Sequence, residues 1–205
     1  MNRFSGHFIL LLTLLAGGCQ VAGFVANAVG PPPVEAVYAP PKSPMLVLAE
    51  NYANPSVGAI EAEQLERFVI LELQAHGVAP MADYEKVYEL RAADPRKFRS
   101  TPIDELGRLA GAAQVLYLSL QVSSTDVGQS SEVFQGRGAA TVRVVDVETG
   151  QTVWPGEGSE GYPVRQDSQL VRAQPGVDDA SVRRAVQQGL AEQIVKLFYK
   201  HEAEE

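Results

Sequence analysis

The chain has 205 residues, 45% of them hydrophobic and 20% charged, which are ordinary globular values and exclude disorder as its overall state. Seventeen Lys and Arg stand against 25 Asp and Glu, a formal net charge of −8, so the dense positive charge that nucleic-acid binding draws on is missing. A single cysteine excludes an internal disulfide and any multi-cysteine metal site, and three histidines exclude His-rich metal chemistry.

Arg3 supplies a thin positive start, and Phe8 to Ala16 form an apolar run of nine residues that includes Thr13. This run is too short for a membrane-spanning helix, which needs about 20 residues. It reads as a secretory signal peptide over residues 1–18. Ala16-Gly17-Gly18-Cys19 resembles the bacterial lipobox, with Ala16 where that pattern prefers Leu or Val and Leu15 one step further out. The resemblance implies lipidation of Cys19, with acyl chains such as palmitate. One acyl chain anchors only marginally, and a lipoprotein carries several. Gln20 is not the Asp that resembles an inner-membrane retention signal. The expected placement is the outer membrane, lipid-anchored, with the domain facing the periplasm.

Residues 19–44 hold the lipidated Cys and a proline-rich spacer, with Pro31-Pro32-Pro33 and Pro40-Pro41, almost no charge and no helix or strand period. Such a stretch favours extended polyproline II. Met45 to Ala49 is a short buried strand by its continuous apolar run. Val57 to His76 is helical, with Leu65, Val69 and Leu73 every four residues and Gly77 as the stop. Val78 to Met81 reads as a short edge strand because of Pro80. Asp83 can cap a helix to about Arg91, and Thr101-Pro102-Ile103-Asp104 starts another that runs to Gly111.

The strongest strand signals are Gln114 to Thr125 and Gly138 to Val147, joined by the polar stretch 126–137. Glu148-Thr149-Gly150 is a turn, and Gln151 to Trp154 is the returning strand. Residues 163–177 are polar with two prolines and read as a loop. Asp178 to His201 is the longest helix, with Val182, Val186, Leu190, Ile194 and Leu197 on one stripe. His201 is expected to close it. Its apolar stripe is expected to pack on the domain's own sheet. The fold class is α/β (α+β): a mixed sheet of about five strands with helices packed on it, plus a C-terminal amphipathic helix.

This element order, with Gly111-Ala112-Ala113-Gln114-Val115-Leu116 entering the long strand and Val144 to Trp154 forming the hairpin, resembles a known envelope domain. That domain is shared by the TolB amino-terminal region, the curli secretion lipoprotein CsgG and the penicillin-binding-protein activator LpoB. The resemblance covers residues 45–165, leaving 166–205 as linker and C-terminal helix. It implies a membrane-anchored, noncatalytic accessory module. The implied partner is an envelope protein such as a peptidoglycan synthase. The alternative is an oligomeric structural or export-complex subunit, and the oligomeric state stays open. The short connections argue against the long barrel-building segments of a pore.

Gly156-Glu157-Gly158-Ser159-Glu160-Gly161 matches a dinucleotide fingerprint in letters only, because Tyr162-Pro163 follows where a helix should open. No catalytic residue, metal ligand or cofactor is expected. Asp178-Asp179 are explained as helix-start carboxylates. Trp154 and Tyr162 read as core aromatics before partner contacts. Arg91, Arg96, Lys97 and Arg99 form the one local basic cluster, near a helix-to-helix loop, and are the candidate contact for an acidic partner.

Overall fold

The computed structural model describes residues 32–51, 58–127, 133–156, 158–172 and 174–203. The signal peptide and Cys19 lie outside the described residues. The chain divides into two compact units. One runs from Ala36 to Tyr199. Of the other, residues 32–35 and 200–203 are described, and a pair of backbone hydrogen bonds between Val34 and His201 (2.8 and 3.1 Å) joins them, beside an ion pair from Lys200 Nζ to Glu35 at 2.7 Å.

The larger unit is α+β, with a mixed sheet of six strands and five helices among the described residues. In chain order these are β1 (Met45–Glu50), α1 (Gly58–Ala75), α2 (Glu85–Ala93), α3 (Pro95–Ser100), α4 (Ile103–Leu109), β2 (Gln114–Val127), β3 (Val133–Asp146), β4 (Thr152–Trp154), β5 (Tyr162–Asp167), β6 (Val171–Arg172) and α5 (Asp179–Lys196). β1 lies parallel to β2, β2 antiparallel to β3, and β4, β5 and β6 follow one another along the far side of β3.

Side-chain alternation along the strands builds two apolar layers. Met45, Val47 and Ala49 of β1 and Leu116, Leu118 and Leu120 of β2 face α1 and α5, together with Ala140, Val142 and Val144 of β3. Leu46, Leu48, Val115 and Tyr117 face the other way, onto α2, α3 and α4. β1 is covered on both faces, which is why its run is unbroken rather than alternating.

The C-terminal helix packs on the sheet as its stripe requires. Asp178 caps α5 in a reciprocal box with Ser181, and Val182, Val186, Leu190 and Ile194 are buried. Gly136 and Gly138 of β3 let the helix come close. A methyl on Gly136 would sit 2.6 Å from Val186 Cγ2, and one on Gly138 would sit 2.9 Å from Val186 Cγ1.

Five readings need correction. Residues 163–177 are not simply loop: β5 and β6 occupy part of them, because Pro163 stands in an edge strand that tolerates its missing donor. Residues 78–81 make only a bridge from Met81 to Met45, not a strand. Pro95–Ser100 is helical where a loop was expected, with Asp94 accepting from the Lys97 N–H at 3.0 Å and Pro95 in the first turn. The last helix ends at Lys196, and His201 pairs with Val34 instead of closing it. The expected joining stretch 126–137 contributes Asp126 and Val127 to β2 and Val133 to Arg137 to β3, with 128–132 outside the described residues.

The final residues of the expected spacer are tied to the domain. Tyr38 stacks on Trp154 at 5.7 Å, and Trp154 stacks on Tyr162 at 5.3 Å. Trp154 is therefore a core aromatic, with Phe198 edge-on at 5.5 Å. Lys42 Nζ donates to the Gly77 and Val78 carbonyls at 2.6 and 2.8 Å, beyond the end of α1. Gln114 Nε2 donates to the Pro41 carbonyl at 2.8 Å.

Two outcomes follow from this packing. Leu190→Asp buries an unpaired charge under α5 and should destabilise the protein by at least about 3 kcal/mol in chemical denaturation. A melt matching the parent would remove the packing claim. A chain starting at Ser43 should melt about 5 °C or more below one starting at Ala36, because it lacks Tyr38 and Lys42. Equal melting temperatures would mean that the segment only lies against the domain.

Candidate functional site

β1 ends at Glu50, and a cleft of about 160 Å³ opens there between α1 and α3. Its lining includes Glu50, Glu63, Arg91, Pro95, Phe98 and Arg99. The expected basic cluster thus borders the cleft with two of its four members. The structure separates them by role.

Arg91 is an internal residue. Its Nη2 lies 2.9 Å from Glu66 Oε2 and its Nη1 3.3 Å from Glu66 Oε1, a forked contact with both side chains largely buried. Its guanidinium also lies over the Phe98 ring, 4.6 Å from the centroid. Glu66 Oε2 accepts the Ala49 N–H at 3.0 Å as well. This carboxylate therefore satisfies an outward backbone donor of edge strand β1 and holds α2 at the same time. Burial pushes the Glu66 carboxyl above the ordinary carboxylate range, while Arg91 and the Ala49 N–H pull it back. The Arg91 charge is matched inside the fold, so it does not stand with the other three cations as an open contact.

Arg96, Lys97 and Arg99 are exposed on α3. The helix turns Phe98 inward, 4% exposed, and leaves its basic residues in solvent. On the adjacent helix α2 and its N-cap, Tyr88 and Tyr84 stand in solvent at 56% and 53% exposure. Aromatics and arginines are the residue types that carry most binding energy at protein interfaces. Sequence reading passed over the two tyrosines, although their four-residue spacing places them on one helix face.

The remaining candidates find structural roles. Asp178 Oδ1 accepts the Ser181 N–H at 2.8 Å, which holds its carboxyl below the usual range. His76 stacks on Tyr199 at 4.0 Å between ring centres and lies 3.6 Å from Glu72. Gly156, Gly158 and Gly161 lie between β4 and β5 with no helix after them, so they form no phosphate cradle. Among the described residues, no group of three or more His, Cys, Asp or Glu could hold a metal ion, and no helix is long and apolar enough to cross a membrane.

No protein-family model and no curated protein matches the chain. Similar solved structures include the PelC dodecamer from Paraburkholderia phytofirmans, at 14% identity over 81% of this chain and 95% of that one, with a TM-score of 0.42. Lipoprotein GNA1162 from Neisseria meningitidis is similar at 16% identity, over 75% of this chain and 98% of that one, with a TM-score of 0.41. The LpoB C-terminal domain from Escherichia coli is similar at 19% identity, over 62% of this chain and 83% of that one, with a TM-score of 0.37. Likeness at this level assigns neither a family nor an activity.

The division of the basic cluster has a measurable consequence. Arg91→Ala strands the buried Glu66 carboxylate and should cost about 2–4 kcal/mol in denaturant unfolding, whereas Arg96→Ala should stay within about 0.5 kcal/mol of the parent. Equal effects would place Arg91 on the surface with its neighbours.

Proposed function

We propose that this chain is a noncatalytic envelope lipoprotein, anchored through acylated Cys19 and docking a partner protein through the α2–α3 corner. The signal-like amino terminus and the position of the sole cysteine support secretion and lipidation. Gln20 beside that cysteine, in place of the Asp of a retention signal, supports outer-membrane attachment, with the domain in the periplasm. A peptidoglycan synthase is the partner that the LpoB-like resemblance of the sequence implies.

The observation that carries the docking reading is the pairing of exposed Tyr84 and Tyr88 with open Arg96, Lys97 and Arg99 on adjacent helices. In an isolated domain such aromatics have no packing role to explain them. Against an acidic surface they supply rigid contact area, and the cations supply steering and orientation. Arg91 contributes by holding α2 and α3 in place through Glu66 and Phe98.

Cys19→Ala should abolish lipid labelling and move the protein out of the membrane fraction. In intact cells, reversing Arg96, Lys97 and Arg99 to Glu should remove a crosslinked partner while leaving anchoring and melting unchanged. A Cys19→Ala protein that stays lipid-labelled and membrane-bound sinks the anchor. A crosslinking pattern unmoved by the triple reversal sinks the docking corner.

A further inference from the structure

Among the described residues, helices cover only half of the second face of the sheet. α4 packs over its lower end, where Gly107 lies against Val115 and Val147. Toward β5 the same face is open: Pro163, Arg165 and Asp167 are exposed, and Ala139, Thr141 and Arg143 of β3 are partly so. Register assigns the side chains. The β3 residues at even numbers from 136 to 144 are buried on the first face, so Arg137, Ala139, Thr141 and Arg143 point to the second. Cross-strand partners share a face, so Arg165 opposite Ala139, Asp167 opposite Arg137 and Arg172 opposite Val133 point there too.

Arg143 is the informative residue. Its guanidinium lies 4.7 Å from the Tyr117 ring centre, which fixes its plane. Its Nε is buried and has no hydrogen-bond acceptor. Among the described residues it makes no ion pair, and neither does Arg165 or Arg172. A buried donor without a partner is costly, and a guanidinium held on the ring beneath it turns its outer Nη groups to the open face, where they fit a carboxylate end-on through two parallel bonds. Tyr117 in turn gives its hydroxyl to Glu50 at 3.0 Å, so the platform under Arg143 is itself held.

We propose that this open half-face, centred on Arg143 and Arg165, binds an acidic segment of a partner protein. It rests on the reading of the chain as a protein-docking module and places a contact on a surface other than α3. Arg165 sits opposite Ala139, four residues along β3 from Arg143, or about 14 Å at strand rise. Separated carboxylates match that spacing. A continuous phosphate chain does not, since Asp167 and Glu50 flank the same face and the whole chain is at −8. Thr141 and Ser119, opposite each other between the arginines, offer hydroxyls to a bound backbone.

The test uses residues 19–205 carrying Cys19→Ala and a fluorescent glutamate-containing peptide with carboxylates spaced four residues apart, read by anisotropy at low salt. Arg143→Glu with Arg165→Glu should weaken binding at least about tenfold, and Arg143→Lys should weaken it too, since Lys lacks the planar two-donor fork. Arg184→Glu, on the opposite layer, should leave it unchanged. Arg165→Glu alone, at an exposed position, keeps the test open if the double variant melts early. Absence of binding, equal loss with Arg184→Glu, or tighter binding of inorganic polyphosphate overturns the proposal. So does loss only with the Arg96, Lys97 and Arg99 reversals, an outcome that leaves the α3 docking reading standing.

Discussion

The antiparallel pairing of β2 with β3 is the constraint on which the rest of the domain depends. It runs from Gln114 opposite Asp146 to Val127 opposite Phe134, with one register shift between Leu120 and Val122. That register decides which side chains face which layer. A slip of one residue would send Leu116, Leu118 and Leu120 to the wrong face. The turn beyond β3 helps to pin it: Asp146 Oδ1 accepts both the N–H and the hydroxyl of Thr149 at 2.8 Å, and Gly150 takes a φ of 70°. The pair then carries β1 on one side and β4, β5 and β6 on the other.

The same register explains how α5 is seated and why one half-face stays polar. Small residues at 136 and 138 point toward α5, and bulkier apolar residues from 140 onward build the core beneath it. The alternate positions at 137 and 143 are arginines. Covering Arg143, which makes no ion pair among the described residues, with a helix would strand charge, so the apolar layer on this face ends beside it at Val145 and Tyr117. The chain spends its apolar residues where both faces are covered, in β1 and the lower part of β2.

Much of this was legible before the structure. Hydrophobic periodicity locates β1, α1, β2, β3 and α5 because each buries a regular stripe. The hairpin turn at Glu148 to Gly150 reads from its glycine. What escaped had weak local signals. β5 is four polar or proline positions in six, and it becomes a strand only because β3 offers a free edge. α3 has six residues, too few to show a period, and its helical state rests on Asp94, Pro95 and the burial of Phe98. Residues 78–81 were apolar enough for a strand, but Val78 and Ala79 are buried as a turn after α1 rather than paired.

The site divides along the same line between local and tertiary information. Four basic residues within nine positions look like one patch in sequence. A sequence cannot show that Glu66, 25 residues before Arg91, folds back across the edge of the sheet to claim it. That claim follows from an obligation of the backbone: edge strand β1 leaves the Ala49 N–H in need of an acceptor, and the carboxylate that meets it needs a counter-charge in a dry place. Arg91 fills that need, and its stacking on Phe98 orients α3 so that the three other cations point outward. The buried arginine and the exposed ones are thus parts of one arrangement, in which an internal ion pair fixes the helix that presents the open charges.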